Sequence, residues 1–382
     1  MSINTPPQHS AIPTVCKVAV IGVGRMGKHH ARTYQQMPQA DLVGIVDHDF
    51  QRAQIVADEY STTAYPDVQA LLAAQPNLQG VSVAVPTIHH HLVAIPLLEK
   101  KIACLVEKPL AATEKTARKL NKLALKNQAI LQVGHTERFN PILQAVKKMK
   151  HPARFIEAAR VSPMTFRSLD VGVVMDMMIH DLDIVLSLAN SPLKKVDATG
   201  VAVLGKHEDT CNARLTFKNG CVANITASRL AMKTERKMRM FSEKAYVSID
   251  YQKREGIMID LDDDTNAAVL ADLQMRLSQG NDLSDLDYAS LVNIERLQLD
   301  RHESDPLNDP LTGELTNFLD SIEHNLVPDV DGQAGHAAVD AAERILESIK
   351  KHKYAGLESP RIGNDPEDIE LPQPATEDQA VK

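Results

Sequence analysis

The sequence KVAVIGVGRMG, residues 17–27, decides the fold of the first half of the chain. Its first five residues are rich in valine and isoleucine and predict a buried strand, while residues 26–37 predict a helix. Between the two elements stand Gly22, Gly24 and Gly27. The first glycine permits a tight turn, the second lets a pyrophosphate approach the backbone, and the third lets the helix pack closely on the strand.

An acidic residue at the end of the next strand supports a dinucleotide site. Asp47 follows the predicted strand 42–46 and lies 20 residues after Gly27. A carboxylate at this place accepts hydrogen bonds from the ribose hydroxyls of a dinucleotide and repels a 2′-phosphate. The next residues, His48 and Asp49, supply no arginine that could bind such a phosphate. The pattern therefore favours NAD over NADP.

Other residues of the first half are predicted to contact the cofactor. The helix after the glycine turn presents free N–H groups at Arg25 and Met26 to the pyrophosphate. Ligands of an open α/β sheet lie beyond the carboxyl ends of the strands. The residues that follow two further strands are therefore also candidates, namely Pro86, Thr87, His90, Glu107 and Lys108.

The first half alternates short apolar runs with longer helical stretches, which is typical of a doubly wound parallel sheet. Nearly continuous apolar strands are expected where helices cover both faces. After the first strand and helix, strands are predicted at 42–46, 81–85, 102–106 and 130–133, and helices at 51–59, 91–100 and 114–126. This half is predicted to be a Rossmann domain.

The second half reads as an α+β domain with an open, mainly antiparallel sheet. Asn219-Gly220 stands between two alternating runs, which is a strong hairpin signal. The pattern predicts a helix over 171–189 and strands at 153–161, 196–203, 212–217, 222–228, 236–241 and 246–250.

The domain boundaries follow from these patterns and from length, since 382 residues suggest two domains. An acidic helical or loop insertion is expected within the second domain, and the final helices can pack back on the Rossmann domain. The predicted segments are a flexible N-terminus 1–14, an NAD-binding domain 15–140, an α+β domain 141–355, the insertion 261–310, the final helices 311–350 and a loose tail 356–382.

Composition excludes several classes of protein. A net charge of −8 provides no overall basic field for nucleic acid or an anionic membrane, and the acidity concentrates in 261–310, with 12 acidic and 3 basic residues. No apolar stretch is long enough to span a bilayer, and the polar N-terminus argues against a secretory signal. The four cysteines are scattered, and Cys16 and Cys104 are expected to behave as small buried hydrophobes. A cytoplasmic protein is expected.

Two further motifs carry candidate catalytic residues. Lys108, in Glu107-Lys108-Pro109, follows an apolar strand and could hold or polarise a substrate oxygen. In DMMIHDLD, Asp176 and His180 share a helix face, and neutral imidazole suits proton removal from a hydroxyl near pH 7. Asp176 could orient the histidine or bind a substrate hydroxyl. By themselves, these motifs are also compatible with a surface lysine and a packed histidine.

A metal site is not expected. Two acids and one histidine could belong to a metal centre, but further ligands would have to come from elsewhere in the chain. His89, His90 and His91 are consecutive, and helical neighbours point about 100° apart, so one ion cannot bind all three.

Four residues outside these motifs are predicted to contact substrate. Arg138 and Asn140 follow the last Rossmann strand, and an arginine can bind a diphosphate through two hydrogen bonds. Arg167 and Ser168 lie just before the predicted helix of Asp176, in a segment able to fold over a ligand. A surface or interdomain role is the alternative for each.

Together, AVIGVGRMG, EKPL and DMMIHDLD resemble the Gfo/Idh/MocA oxidoreductases over nearly the whole chain. The resemblance implies an N-terminal Rossmann domain and a C-terminal domain whose open sheet commonly builds the oligomer, here a homodimer or homotetramer. It implies nicotinamide-dependent oxidation or reduction of a sugar or cyclitol carbon. The catalytic lysine of the family corresponds to Lys108, and its Asp/His pair to Asp176 and His180.

A finer resemblance concerns GHTERFNP, residues 134–141, and MDMMIHD, residues 175–181. These stretches are similar to the branch of the family that oxidises UDP-N-acetylglucosamine at C3. That oxidation precedes transamination to a 2,3-diamino sugar of lipid A, which implies an aminotransferase downstream. The alternatives are another sugar or inositol dehydrogenase, a biliverdin-reductase-like relative, or an NAD-binding redox sensor without turnover. The presence of a proton-transfer set argues against the sensor.

Overall fold

The computed structural model describes residues 15–147, 151–165, 171–204, 206–260, 263–279, 294–298 and 309–353. The chain divides into two compact units. Unit 1 comprises residues 1–148 and 299–340, and unit 2 comprises 149–298 and 341–382.

Unit 1 contains a six-stranded parallel sheet of order β3-β2-β1-β4-β5-β6, which confirms the predicted Rossmann fold. The order reverses at β1, the place where open α/β sheets bind ligands. The strands are β1 Cys16–Ile21, β2 Ala40–Val46, β3 Ala64–Tyr65, β4 Gly80–Val83, β5 Ala103–Glu107 and β6 Leu131–Gly134.

Helices of unit 1 begin where side chains cap their free N–H groups. Asp49, Asp67 and Thr113 each accept a hydrogen bond from an amide of the first turn. These helices are α1 Arg25–Gln36, α2 Phe50–Glu59, α3 Val68–Ala74, α4 His90–Glu99, α5 Glu114–Asn127, α6 Pro141–Lys147 and α9 Pro310–His324. Short 3₁₀ turns cover Thr87–His89 and Thr136–Phe139.

Helix α9 packs on the sheet although it is distant from it in sequence. Leu315, Phe318 and Leu319 are buried in the same apolar cluster as β1 and α1. A side chain at Gly80 of β4 would stand 3.0 Å from the Phe318 ring. Because β4 presents no side chain there, α9 can lie close to the strand.

Unit 2 contains an eight-stranded mixed sheet of order β14-β13-β12-β11-β7-β10-β9-β8, in which only β7 and β10 pair in parallel among the described strands. The predicted α+β class is therefore confirmed. The strands are β7 Phe155–Val161, β8 Leu193–Val201, β9 Thr210–Phe217, β10 Val222–Ser228, β11 Glu235–Phe241, β12 Ala245–Asp250, β13 Glu255–Asp260 and β14 Ile294–Gln298.

The helix predicted over 171–189 differs from a regular α-helix. It begins with a π-helical turn, Val174–Met178, and continues as α7, Ile179–Ala189. Further helices are α8 Asp263–Ser278 and α10 Gly332–Lys351, and the division between the two units falls inside α10.

The acidic segment 261–310 contains α8 and strand β14, which extends the sheet and was not predicted. The terminal segments 1–14 and 356–382 lie outside the described residues. All four cysteines are free and buried. None of the described helices has the length and apolar character to cross a bilayer.

Candidate active site

The glycine turn joins β1 to α1 and has the geometry that the sequence predicts for a pyrophosphate site. Gly22 has a φ of +86°, and a Cβ at Gly27 would stand 1.8 Å from the Gly22 carbonyl oxygen. At Gly24 a Cβ would meet no described heavy atom within 4 Å beyond its chain neighbours. Within the described part of the chain, no side chain caps α1, and Arg25 and Met26 are exposed at its first turn. A phosphate can therefore reach the free N–H groups of this helix.

Asp47 lies beside this turn. Its Oδ2 accepts a hydrogen bond of 2.8 Å from the Val23 amide, and its Oδ1 accepts one of 3.0 Å from the Asp49 amide. Nη2 of Arg52 lies 3.4 Å from Oδ1. His48 and Asp49 supply no arginine, as the sequence shows, but Arg52 of α2 reaches the carboxylate, a contact that the sequence analysis did not predict.

The loops that follow β4 and β5 are joined by His90. Its Nε2 lies 2.9 Å from the Val85 carbonyl oxygen, and its Nδ1 lies 3.0 Å from the carbonyl oxygen of Pro109. Burial lowers the pKa of His90, so the neutral ring is favoured, and its single N–H donates to one of these two carbonyls. The Lys108–Pro109 peptide bond is cis. His90 is therefore a structural link between Pro86-Thr87 and the Lys108 segment.

A buried network lies directly behind Lys108. Glu107 Oε2 accepts a hydrogen bond of 3.2 Å from the Lys108 amide, and Oε1 lies 3.0 Å from His30 Nε2. On the other side of the imidazole ring, Nδ1 lies 3.0 Å from the hydroxyl of Ser82, which also contacts Tyr34.

Glu314 of α9 completes this network. A carboxylate oxygen of Glu314 lies within 4.8 Å of a ring nitrogen of His30 and of a carboxylate oxygen of Glu107. Glu314 also accepts a hydrogen bond of 3.1 Å from the hydroxyl of Thr136. Burial and the negative charge of Glu107 raise the pKa of Glu314 well above its usual value. Burial opposes ionisation of Glu107 as well, but the hydrogen bond with His30 and the charges of His30 and Lys108 lower its pKa overall.

His30, Glu107 and Glu314 have the spacing of a metal-ligand group. However, both nitrogens of His30 are engaged with Ser82 and Glu107, and Glu314 with Thr136. The arrangement is that of a hydrogen-bond network. Sequence reasoning missed His30 and Glu314, and no local pattern points to an acid on a helix so distant in the chain.

Arg138 and Asn140 are buried within unit 1. Nη2 of Arg138 donates a hydrogen bond of 3.1 Å to the Asp329 carbonyl, and Oδ1 of Asn140 accepts one of 3.2 Å from the Ile142 amide at the start of α6. These contacts hold the chain that leaves β6. Substrate contacts by both residues stay predictions, and Arg167 and Ser168 lie outside the described residues.

In unit 2, Asp176 lies in the π-helical turn and His180 in the first turn of α7. The next residue, Asp181, forms a buried ion pair with Arg160 of β7, in which Nε donates to Oδ2 at 2.8 Å and Nη2 to Oδ1 at 3.2 Å. Two parallel hydrogen bonds fix a carboxylate in position and orientation. The pair therefore fixes α7 on the sheet.

The amino and carboxyl ends of the Rossmann strands carry different features. A cavity of about 600 Å³ lies at the amino ends of β4 and β5, where Lys100, Lys101 and Gln79 contribute to its lining. The glycine turn, Asp47 and Lys108 lie at the carboxyl ends, the edge at which α/β sheets bind their ligands. The geometry of this edge fits a dinucleotide.

Two family matches cover more than half of the chain. Residues 16–135 match the family described as "Oxidoreductase family, NAD-binding Rossmann fold", GFO_IDH_MocA. Residues 152–248 match the GFO/IDH/MocA C-terminal domain.

Individual relatives agree with these matches. UDP-N-acetylglucosamine 3-dehydrogenase of Acidithiobacillus ferrooxidans is 38% identical over 236 residues, which cover 62% of this chain and 74% of the relative. A solved structure of that enzyme has a TM-score of 0.74 and 31% identity, and covers 88% of this chain and 98% of the other. Inositol 2-dehydrogenase of Rhizobium meliloti is 26% identical over 259 residues, which cover 64% of this chain and 78% of the relative.

Proposed function

The chain belongs to the Gfo/Idh/MocA family of oxidoreductases, which act on CH–OH groups, and from this premise we propose that it oxidises a ring hydroxyl of a nucleotide sugar with NAD. The substrate we assign is UDP-N-acetylglucosamine, oxidised at C3 to the ketone. The observation that carries this assignment is the similarity to UDP-N-acetylglucosamine 3-dehydrogenase, which extends over nearly the whole of that enzyme's solved structure.

The preference for NAD rests on Asp47. Its negative charge lies beside the glycine turn, where it disfavours the 2′-phosphate of NADP. Arg52 partly offsets that charge but is itself engaged by the carboxylates of Asp47 and Asp49. We therefore assign NAD as the cofactor, with the N-terminus of α1 holding the pyrophosphate.

When bound, NAD accepts the hydride that leaves the substrate carbon. We assign removal of the hydroxyl proton to His180, with Asp176 orienting the imidazole or holding a substrate hydroxyl. Lys108 holds and polarises the reacting oxygen as the C–H and O–H bonds are replaced by the carbonyl. The anion of Glu107 fixes the backbone of Lys108 through the amide hydrogen bond.

The product suggests the biological setting. A 3-keto nucleotide sugar is a substrate for transamination, so we place the reaction as a step toward a 2,3-diamino sugar of lipid A, with an aminotransferase next. We place the enzyme in the cytosol, in agreement with its four free and buried cysteines.

A second candidate comes from the inositol dehydrogenases among the relatives. Their chemistry is the same, because a ring hydroxyl is oxidised by a nicotinamide, but their substrate carries no diphosphate. The two candidates therefore differ in substrate and not in the roles of Lys108, Asp176 and His180.

The test offers NAD to the purified protein with one of four substrates and follows absorbance at the reduced-nicotinamide band. The substrates are UDP-N-acetylglucosamine, UDP-glucose, free N-acetylglucosamine and myo-inositol. Turnover with the UDP-amino sugar alone is expected. Turnover with inositol or a free sugar would overturn the substrate, and NAD binding without any turnover would favour a sensor.

Two variants test the assigned chemistry. Lys108→Met and His180→Ala are each expected to lower kcat by about 10²–10⁴-fold, which is the usual contribution of a positioned acid or base. The dissociation constant for NADH, followed by its fluorescence, should change little in His180→Ala, because the pyrophosphate is assigned to the N-terminus of α1 and the ribose to Asp47, and neither role is assigned to His180. Equal losses of turnover and of NADH affinity in a folded His180→Ala protein would show that His180 is not the base that removes the hydroxyl proton.

A further inference from the structure

Three consecutive polar residues are buried in unit 2 immediately before β9. His207 is 6% exposed, and Glu208 and Asp209 are fully buried. Charged side chains are rarely buried to this extent unless they are paired or accept hydrogen bonds. None of the three has a part in the proton and hydride transfers assigned above.

Glu208 lies against the start of the helix that carries Asp176 and His180. Its Oε1 accepts a hydrogen bond of 3.1 Å from the Val174 amide, and its backbone carbonyl accepts one of 3.0 Å from the Val173 amide. The first amides of a helix have no partners inside it, and a negative charge there is favourable. Glu208 therefore caps the π-helical turn from a different part of the chain.

Gly172 makes this approach possible. A Cβ at Gly172 would stand 2.0 Å from Oε1 of Glu208 and 2.4 Å from Oε2. The carboxylate thus occupies the space that any other residue would need. The Gly172 carbonyl in turn accepts the amide hydrogen bond of Asp176, at 3.1 Å.

Asp209, the residue after Glu208, is fixed by Arg229 and by two backbone amides. Nε of Arg229 donates to Oδ1 of Asp209 at 2.6 Å, and the other oxygen of Asp209 accepts hydrogen bonds from the Val203 and Leu204 amides. Nη1 of Arg229 also donates to the Val171 carbonyl at 2.9 Å. Glu208, just before β9, therefore binds the chain after Gly172, and Arg229, just after β10, binds the chain before it.

We propose that Glu208 is a positioning residue for Asp176 and His180, acting through its hydrogen bond to the Val174 amide at the start of the π-helical turn. This inference rests on the proposed function, in which those two residues bind substrate and accept the proton. Single π-helical turns are rare and frequently occur at functional sites. A displacement of about 1 Å can cost about 10²-fold in rate, so loss of this contact reduces turnover.

The first test compares two substitutions of Glu208 in the full chain. Glu208→Gln keeps a side-chain carbonyl that can accept the Val174 hydrogen bond, and it is expected to retain most of the wild-type kcat. Glu208→Ala removes the acceptor and is expected to lower kcat for UDP-N-acetylglucosamine by about 10–100-fold. NADH affinity should be unchanged in both, and the exposed Glu243→Ala serves as the control acid of unit 2.

The second test uses Gly172 and remains informative if Glu208→Ala does not fold. Gly172→Ala pushes the carboxylate away and is expected to reproduce the loss of kcat. In the double variant Gly172→Ala/Glu208→Ala the overlap is gone, so the two losses should not add.

Four results would overturn the inference. These are an unchanged kcat in folded Glu208→Ala, an unchanged kcat in folded Gly172→Ala, equal losses in Glu208→Gln and Glu208→Ala, and a loss of NADH affinity as large as the loss of kcat. His180→Ala is measured beside them with the same substrate. If the wild type does not turn over this substrate, the proposed function fails. If His180→Ala keeps full turnover, the proton-accepting role of His180 fails and the positioning role fails with it. If His180→Ala loses turnover while Glu208→Ala does not, the positioning role alone fails.

Discussion

Asp47 holds its carboxylate against the glycine turn, with Oδ2 2.8 Å from the Val23 amide nitrogen and Arg52 3.4 Å from Oδ1. A 2′-phosphate at this place meets a buried negative charge, while the nearby arginine is occupied. Asp47→Ala removes that charge and leaves Arg52 available to a phosphate. We expect kcat/KM with NADP to rise relative to that with NAD by about tenfold, equivalent to about 1.4 kcal/mol.

The matched control is the double variant Asp47→Ala/Arg52→Ala. It removes the cation as well as the carboxylate, so the gain with NADP should be smaller than in Asp47→Ala by the part that comes from Arg52. Steady-state rates with both cofactors at saturating sugar measure the preference. A preference that stays the same in Asp47→Ala would exclude Asp47 from recognition of the ribose.

Local residues were predictable where the physical requirement is itself local. The glycine turn and Asp47 lie within 26 residues of each other, and the role of each depends on the strand or helix next to it in the chain. Glu314 instead accepts a hydrogen bond from Thr136, which is 178 residues away in the chain. Its burial depends on the folded unit, so no pattern around residue 314 reveals it.

Helix α9 brings Glu314 into the buried network of unit 1, and this element has a pH-dependent effect on stability. Burial and the charge of Glu107 raise the pKa of Glu314 in the folded protein above its unfolded value. The folded state then binds more protons than the unfolded state between these two pKa values, so stability falls as pH rises from the unfolded pKa to the raised one. Ionised Glu314 is the unfavourable form.

Glu314→Gln cannot ionise, so it removes the loss of stability at high pH, and its side-chain carbonyl still accepts the hydrogen bond from Thr136. We expect its melting temperature to exceed that of the wild type by about 2–4 °C at pH 8, and by less at pH 5. Glu323→Gln, on the exposed side of the same helix, provides the control and should shift neither value. A Glu314→Gln protein that melts below the wild type at pH 8 would contradict the raised pKa.

The regular strands and helices could be predicted from the periodicity of apolar residues, and the irregular elements could not. The parallel sheet was predicted because each of its long strands is an apolar run between helices. Strand β3 has only two residues, Ala64 and Tyr65, too few to show a period. The π-helical turn at Val174–Met178 was read as α-helix, because one widened turn hardly changes the spacing of apolar residues, and its cap, Glu208, lies elsewhere in the chain.

The polar face of the unit 2 sheet is the surface through which we expect the chain to assemble. Alternate residues of β9 and β10 are buried on one face, and the other face carries polar side chains. One row of neighbouring positions crosses five strands and carries four charges of alternating sign, with a neutral asparagine at its centre. The row consists of Arg239, Glu157, Asn224, Arg214 and Asp197.

This row is suited to pair with its own copy, because a two-fold axis can set each arginine of one chain opposite a carboxylate of the other. The resemblance to the family likewise implies a homodimer or homotetramer built through this sheet. We expect light scattering to give the mass of an oligomer, and Arg214→Glu to lower that mass at micromolar concentration by placing like charges together.

Arg118→Glu, an exposed charge reversal on α5 of unit 1, should leave the mass unchanged. Because exposed ion pairs are screened by salt, the effect of Arg214→Glu should be smaller at high ionic strength. A monomeric wild type, or an Arg214→Glu protein with the wild-type mass at low salt, would show that this face does not build the assembly.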